Sequence, residues 1–324
     1  MQKTNLSIIV IILLFVATIA CSLLSGVFIL PAIISFSALC VGFPSYFLPI
    51  APIISIVATF FINRSGDTEV LIFTCATSIF YVLPSVLIAW GYFKKQTKAM
   101  IVINGAIGIF LYTCILALIG ILLTQGAFTP QILNSVIDAQ LPAFTEYMTA
   151  QLSLMQAGDF SVDHELIEEV FFLSKPLLPA AMATVAVIAS YIAICVLNLI
   201  LKKTKIIENS TYRVVLHWGL GIFFILCTFF GTFGSLKSYL SILIASFTMV
   251  LTPLFFVIGS GVVFDSLSRF FKNRSGLFLL IVFIIIFFVI GTVISNLFYL
   301  IGAYYCIVNG IKNRKINRFK GGKQ

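Results

Sequence analysis

An all-α bundle of membrane-spanning helices is what this sequence predicts, on three observations. Hydrophobic residues make up 60% of the chain and charged residues only 10%, where a soluble domain carries roughly 25% charged residues. Charge-free runs recur at 4–63, 70–93, 99–137, 176–201, 238–264 and 275–311, and 214–236 is interrupted only by His217. The charges that remain sort by sign between alternate loops, as they do when Lys and Arg stay on the cytoplasmic side.

A crossing takes about 20 apolar residues to cover roughly 30 Å of hydrocarbon. The first run, 4–63, is too long for one helix, and we read three: 6–23, 26–42 and 45–62. Two crossings with an outside N-terminus is the alternative. Five single helices follow at 70–93, 100–124, 177–201, 214–233 and 238–264. The stretch 276–310 holds no charge or His, and as one helix would be about 52 Å long. Ordinary tilt does not absorb that excess. A hairpin turning near Gly291-Thr292 is expected, with helices 277–290 and 294–311, for ten spans in all.

With Lys94, Lys95 and Lys98 inside, both termini are cytoplasmic. Of the Lys and Arg residues only Arg64, Lys175 and Lys237 fall outside, and of the acids only Glu208 and Asp265 fall inside. Residues 1–201 read as a six-span region with an extracytoplasmic helical loop, 125–175. Residues 202–324 read as a four-span region with a basic tail, and the two form one continuous membrane domain. The net charge of +9 sits at the cytoplasmic face, where it suits anionic lipid headgroups. Nucleic acid is not an expected partner.

Within the loop, Thr129-Pro130 has the pattern of an N-cap with proline at the first helical position. Leu133, Val136, Ile137, Leu141, Phe144, Tyr147, Met148, Leu152 and Met155 then recur at helical spacing, with Pro142 dividing the helix. This predicts an amphipathic element lying on the membrane surface or over the bundle. A second short helix is expected at 162–173, where an acidic face disfavours anionic lipid and favours packing on the bundle. There His164, Glu165, Glu168 and Glu169 lack the second histidine of a zinc-protease pattern, and a solvated acidic helix is the expectation.

The seven cysteines all lie in apolar runs without a C-x-x-C pair, so neither a disulfide framework nor a zinc site is expected. No metal or cofactor is implied, and no Walker-type nucleotide motif occurs.

Candidate ligand-binding residues come from two features. GFPSYFLPIAP, 42–52, places Pro44, Pro49 and Pro52 in an apolar run, and broken backbone at membrane depth can line a pocket. Ser45 and Tyr46 would supply its polar groups. Polar residues inside spans face the bundle interior, and Asn104 and Asn296 are the candidates there. Asn198, His217 and Ser260 are further intramembrane polar groups. His217 and Ser260 share a depth, but no orienting acid or nucleophile motif accompanies them. Small residues at Ala183, Ala186, Ala189 and Ser190, and at Gly259, Ser260 and Gly261, would let helices approach closely.

The layout resembles the YybS-like family of predicted bacterial membrane proteins, a domain of unknown function. The resemblance is carried by the Pro-broken N-terminal region, IAWGYFKK (88–95), YIAICVLNLILKK (191–203) and GVVFDSLSRF (261–270), with the outside loop and C-terminal hairpin. It implies a bacterial cytoplasmic membrane and no transferable functional residue. The first six spans are also similar to the substrate-binding subunits of energy-coupling-factor transporters. Ala17 and Ala20 stand as A-x-x-A, however, where those subunits have A-x-x-x-A.

The functional expectation is a non-enzymatic, transport-type component binding a small solute without its own ATPase. A membrane scaffold for an unidentified protein partner is the alternative, and an intramembrane hydrolase the third.

Overall fold

The computed structural model describes residues 8–23, 29–42, 49–62, 67–155, 164–203, 216–233, 239–270 and 297–312. Within them the chain is a helical bundle without strands. The helices are α1 (Ile8–Leu23), α2 (Ile29–Gly42), α3 (Ile50–Ile62), α4 (Thr68–Phe80), α5 (Val82–Phe93), α6 (Lys98–Gln125), α7 (Pro130–Asp138), α8 (Leu141–Met155), α9 (His164–Ser174), α10 (Leu178–Lys203), α11 (Trp218–Phe233) and α12 (Tyr239–Phe270). A last helix, α13, covers Leu297–Lys312.

Among the described residues, four helical stretches are long and apolar enough to cross a membrane: Thr68–Phe93, Lys98–Gln125, Glu165–Leu201 and Tyr239–Phe264. The described parts of α1, α2 and α3 are 16, 14 and 13 residues long, less than the roughly 20 residues a crossing takes. The expected helix 277–290 and its turn lie outside the described residues.

Helix boundaries follow proline placement. Pro31, Pro52, Pro84, Pro130, Pro142 and Pro179 each fall within the first three residues of a helix, where the missing N–H had no intrahelical partner to lose. Thr129 caps α7 by accepting from the Ile132 amide at 3.2 Å. The loop then divides at Ala139–Gln140, with Pro142 in the first turn of α8. The α5–α6 turn is closed by a pair of C-terminal capping bonds. The Gln96 amide donates to the Gly91 carbonyl and the Lys95 amide to Tyr92, both at 3.0 Å, while Lys95 takes the left-handed φ of 51° that this motif requires.

At the centre lies α2, buried from Ala32 through Cys40, in contact with α1, α5 and α10. A helix apolar on every side belongs there. The α5 and α10 helices pack against it, α6 against both of those, α12 against α10, and α11 against α12. The outward surface is apolar too, with Val185 64% and Phe229 61% exposed. A contiguous surface of that kind marks a membrane or partner interface.

Candidate functional site

The most polar part of the interior is where one long helix kinks. Sequence periodicity predicts a single helix over 70–93. The stretch is helical over Thr68–Phe93 as expected, but a kink at Tyr81, whose dihedrals stay in the helical region, divides it into α4 and α5. The cause is Pro84, whose ring and missing N–H cannot continue α4. On its far side α6 comes close, because a Cβ at Gly108 would meet the Pro84 backbone.

Tyr81 is fully buried, its ring edge-on to Phe36 at 5.5 Å between centroids, and its hydroxyl lies beside Ser55 of α3. Ser85 has two acceptors in reach, the Tyr81 carbonyl at 2.8 Å and the Ile33 carbonyl of α2 at 3.1 Å. Ser37 of α2 donates to Ile33 at 2.6 Å, with the Ser85 carbonyl at 3.4 Å. Thr18 of α1 donates to the Ser35 hydroxyl at 2.9 Å. Thr77 and Ser78, in the last turn of α4, are also buried. The Thr18–Ser35 bond lies on the other side of α2, since Ser35 and Ser37 are two residues apart on the helix. The result at Tyr81 is one group of neutral hydroxyls and carbonyls shared by α2, α3 and α5. Chemically it can hydrogen-bond a small polar solute or join helices, since each hydroxyl can donate and accept.

Asn104 belongs to another place. Its amide donates to the Gln96 side chain at 2.7 Å, clamping the α5–α6 turn. Nearby, the Tyr92 hydroxyl donates to Asn198 of α10 at 2.6 Å. Lys98, Tyr191 and Cys195 gather beside this pair, the Cys195 thiol close to both the tyrosine hydroxyl and the lysine. Ser45, Tyr46 and Asn296 lie outside the described residues.

The remaining polar positions have local roles. His217 Nδ1 accepts from the Gly219 amide at 3.2 Å and so caps α11, while Ser260 donates to the Val257 carbonyl at 3.0 Å. Glu165, Glu168 and Glu169 are exposed on α9. Pro253, inside α12, leaves the Met249 carbonyl without its helical donor. Thr184 of α10 has that carbonyl in reach at 3.2 Å and the Ala180 carbonyl of its own helix at 2.8 Å.

Small residues divide by what faces them. Ser190 donates to the Val102 carbonyl of α6 at 2.8 Å, and a Cβ at Gly105 would collide with its hydroxyl. A Cβ at Gly259 would strike the Phe298 carbonyl of α13, and one at Gly302 the Phe255 carbonyl of α12, whereas Gly261 faces open space. Gly259 is therefore the packing position of its pair.

Sequence reasoning missed Tyr81, Ser37 and Ser85, because Ser and Thr in apolar runs are common and carry no spacing signal. The signal available was Pro84, deep inside a run otherwise read as one helix. No family model matches the chain, and no curated protein or solved structure matches it.

Proposed function

We propose that the chain is a ten-span integral protein of a bacterial cytoplasmic membrane with both termini inside. It serves as a transport-type component that binds a small solute and has no ATPase of its own. The observation that carries this is the kink at Tyr81. Discontinuous helices at mid-membrane depth recur where transporters bind their substrates. Here the kink is flanked by hydroxyls from two other helices, Ser37 of α2 and Ser55 of α3. The sorting of charges between loops supports the sidedness, and the YybS-like resemblance supports the bacterial setting.

The test is the thermal stability of the detergent-purified protein across a panel of sugars, amino acids and nucleosides. A ligand that binds only the folded state raises the unfolding midpoint. A shift in the wild type that disappears in Ser85→Ala supports the reading. A panel with no shift, or one that Ser85→Ala leaves intact, removes it. Sidedness is checked separately by a reporter active only outside the cell, fused after Gln324, which should stay silent.

A second reading, a scaffold that organises a protein partner, is favoured by backbone-to-backbone packing at Gly259 and Gly302. It predicts a partner that survives purification in mild detergent and no solute effect on stability.

A further inference from the structure

Between α6 and α10 the chain builds a helical cap, and its last helix has three distinct faces. On the first face of α9, Ile167 and Phe171 are buried, and Phe171 packs on Phe144 of α8 at 5.3 Å between centroids. On the second, Glu165, Glu168 and Glu169 are exposed, with Phe172, 48% exposed, one turn beyond Glu168. The third is apolar and open. Leu166 is 59% exposed and Val170, one turn on, 40%, with half-buried Leu173 next in line. Leaving such a strip in water costs transfer free energy that burial would recover.

The neighbouring geometry marks a boundary. Glu165–Leu201 is helical over 37 residues, about 55 Å at the rise of an α-helix. That is nearly twice the roughly 30 Å of a hydrocarbon core. The α-geometry is interrupted at the 3₁₀ turn Lys175–Leu177. At that turn the Lys175 ammonium donates to Asp138 of α7 at 2.6 Å, a charged pair that belongs at or above the headgroups. The apolar stripe of α10 begins directly after it, with Leu178, Val185, Ile188, Ile192 and Val196 all exposed.

We propose that α9 is half-sunk in the outer lipid–water boundary, with Leu166, Val170 and Leu173 among acyl chains and the three glutamates in water. The inference rests on the multi-pass reading above. The occupant of the open face is phospholipid, because α9 runs through one 3₁₀ turn into α10, whose exposed apolar side chains from Leu178 onward would face the bilayer. An apolar strip beside a charged face is also the pattern of an interfacial helix.

Single-tryptophan variants in a Trp90→Phe/Trp218→Phe background test this after reconstitution into phosphatidylcholine vesicles. The vesicles carry a nitroxide either near the headgroups or deep in the chains. Leu166→Trp and Val170→Trp should show blue-shifted emission and be quenched most by the shallow nitroxide. Glu169→Trp should emit as in water and resist both probes. Ile188→Trp, on the exposed stripe of α10, should be quenched most by the deep probe.

If Ile188→Trp escapes quenching, the multi-pass reading fails and takes this inference with it. If Ile188→Trp is quenched while Leu166→Trp and Val170→Trp emit as Glu169→Trp does, only the placement of α9 is overturned. Blue-shifted but unquenched emission at 166 and 170 means a protein surface covers the strip, which also overturns it.

Discussion

The region built on α2, α5, α6 and α10 and the region built on α11, α12 and α13 join apolar helices by different physics. In the first, hydroxyls and amides reach across, Ser85 to Ile33, Ser190 to Val102 and Tyr92 to Asn198, beside one glycine contact, Gly108 on the Pro84 backbone. In the second, glycines bring backbones together and aromatic rings fill the space beside them. Phe224 stacks on Phe255 at 4.7 Å and meets Tyr299 at 5.6 Å. Lipid supplies no hydrophobic drive for helix association, so contact area and internal hydrogen bonds must do so. The difference lies in tolerance. A side chain that bonds can rotate or be replaced, whereas two backbones in contact have nothing to give.

Substitution at the glycine contact should therefore have the largest effect. Gly259→Ala places a methyl on the Phe298 carbonyl, and Gly302→Ala on the Phe255 carbonyl. Each should cost about 3 kcal/mol, at the upper end for overpacking, read as lost monodisperse protein and a lowered unfolding midpoint in detergent. Gly261→Ala, facing open space, is the matched control and should be near neutral. Equal losses at 259 and 261 would break the comparison.

A middle case crosses the two modes. Gly105→Ala meets the Ser190 hydroxyl and the Ile88 side chain, and side chains can move. A cost of about 1–2 kcal/mol is expected. Adding Ser190→Ala should return part of it by clearing the hydroxyl, despite the lost bond to Val102. A double mutant cycle reads that coupling directly.

Thr184→Val should give the smallest effect, about 0.6 kcal/mol, the average for interhelical hydrogen bonds in membranes. It removes the hydroxyl shared between the Ala180 carbonyl and the Met249 carbonyl that Pro253 leaves open. In a Pro253→Ala background the restored amide should serve that carbonyl, and the Thr184→Val effect should shrink further. An unchanged effect would mean that Thr184 acts only by packing and within its own helix.

Sequence legibility follows the same division. The helices expected at 6–23, 100–124, 177–201 and 238–264 correspond to α1, α6, α10 and α12, because long charge-free apolar runs leave few other conformations. The helix after Thr129-Pro130 was visible from its N-cap and early proline. What a run could not show was pairing across helices. Asn104 stands out as a polar residue in a span, yet its partner Gln96 lies across a turn. Gly259 and Gly261 look alike in sequence, and only the approach of α13 separates them. The kink at Tyr81 was readable from Pro84 in principle, but the surrounding hydrophobicity outweighed it.

The close approach of α12 and α13 has an evolutionary consequence. Two positions without side chains set the spacing of these helices, so outward-facing residues such as Leu297 and Tyr304, 51% and 66% exposed, have no part in fixing it. Among descendants of a common ancestor, drift should run freely at those outer sites and stall at 259 and 302. An insertion of even one residue between the glycine and its facing carbonyl would be purged, since it rotates the wrong surface into the seam.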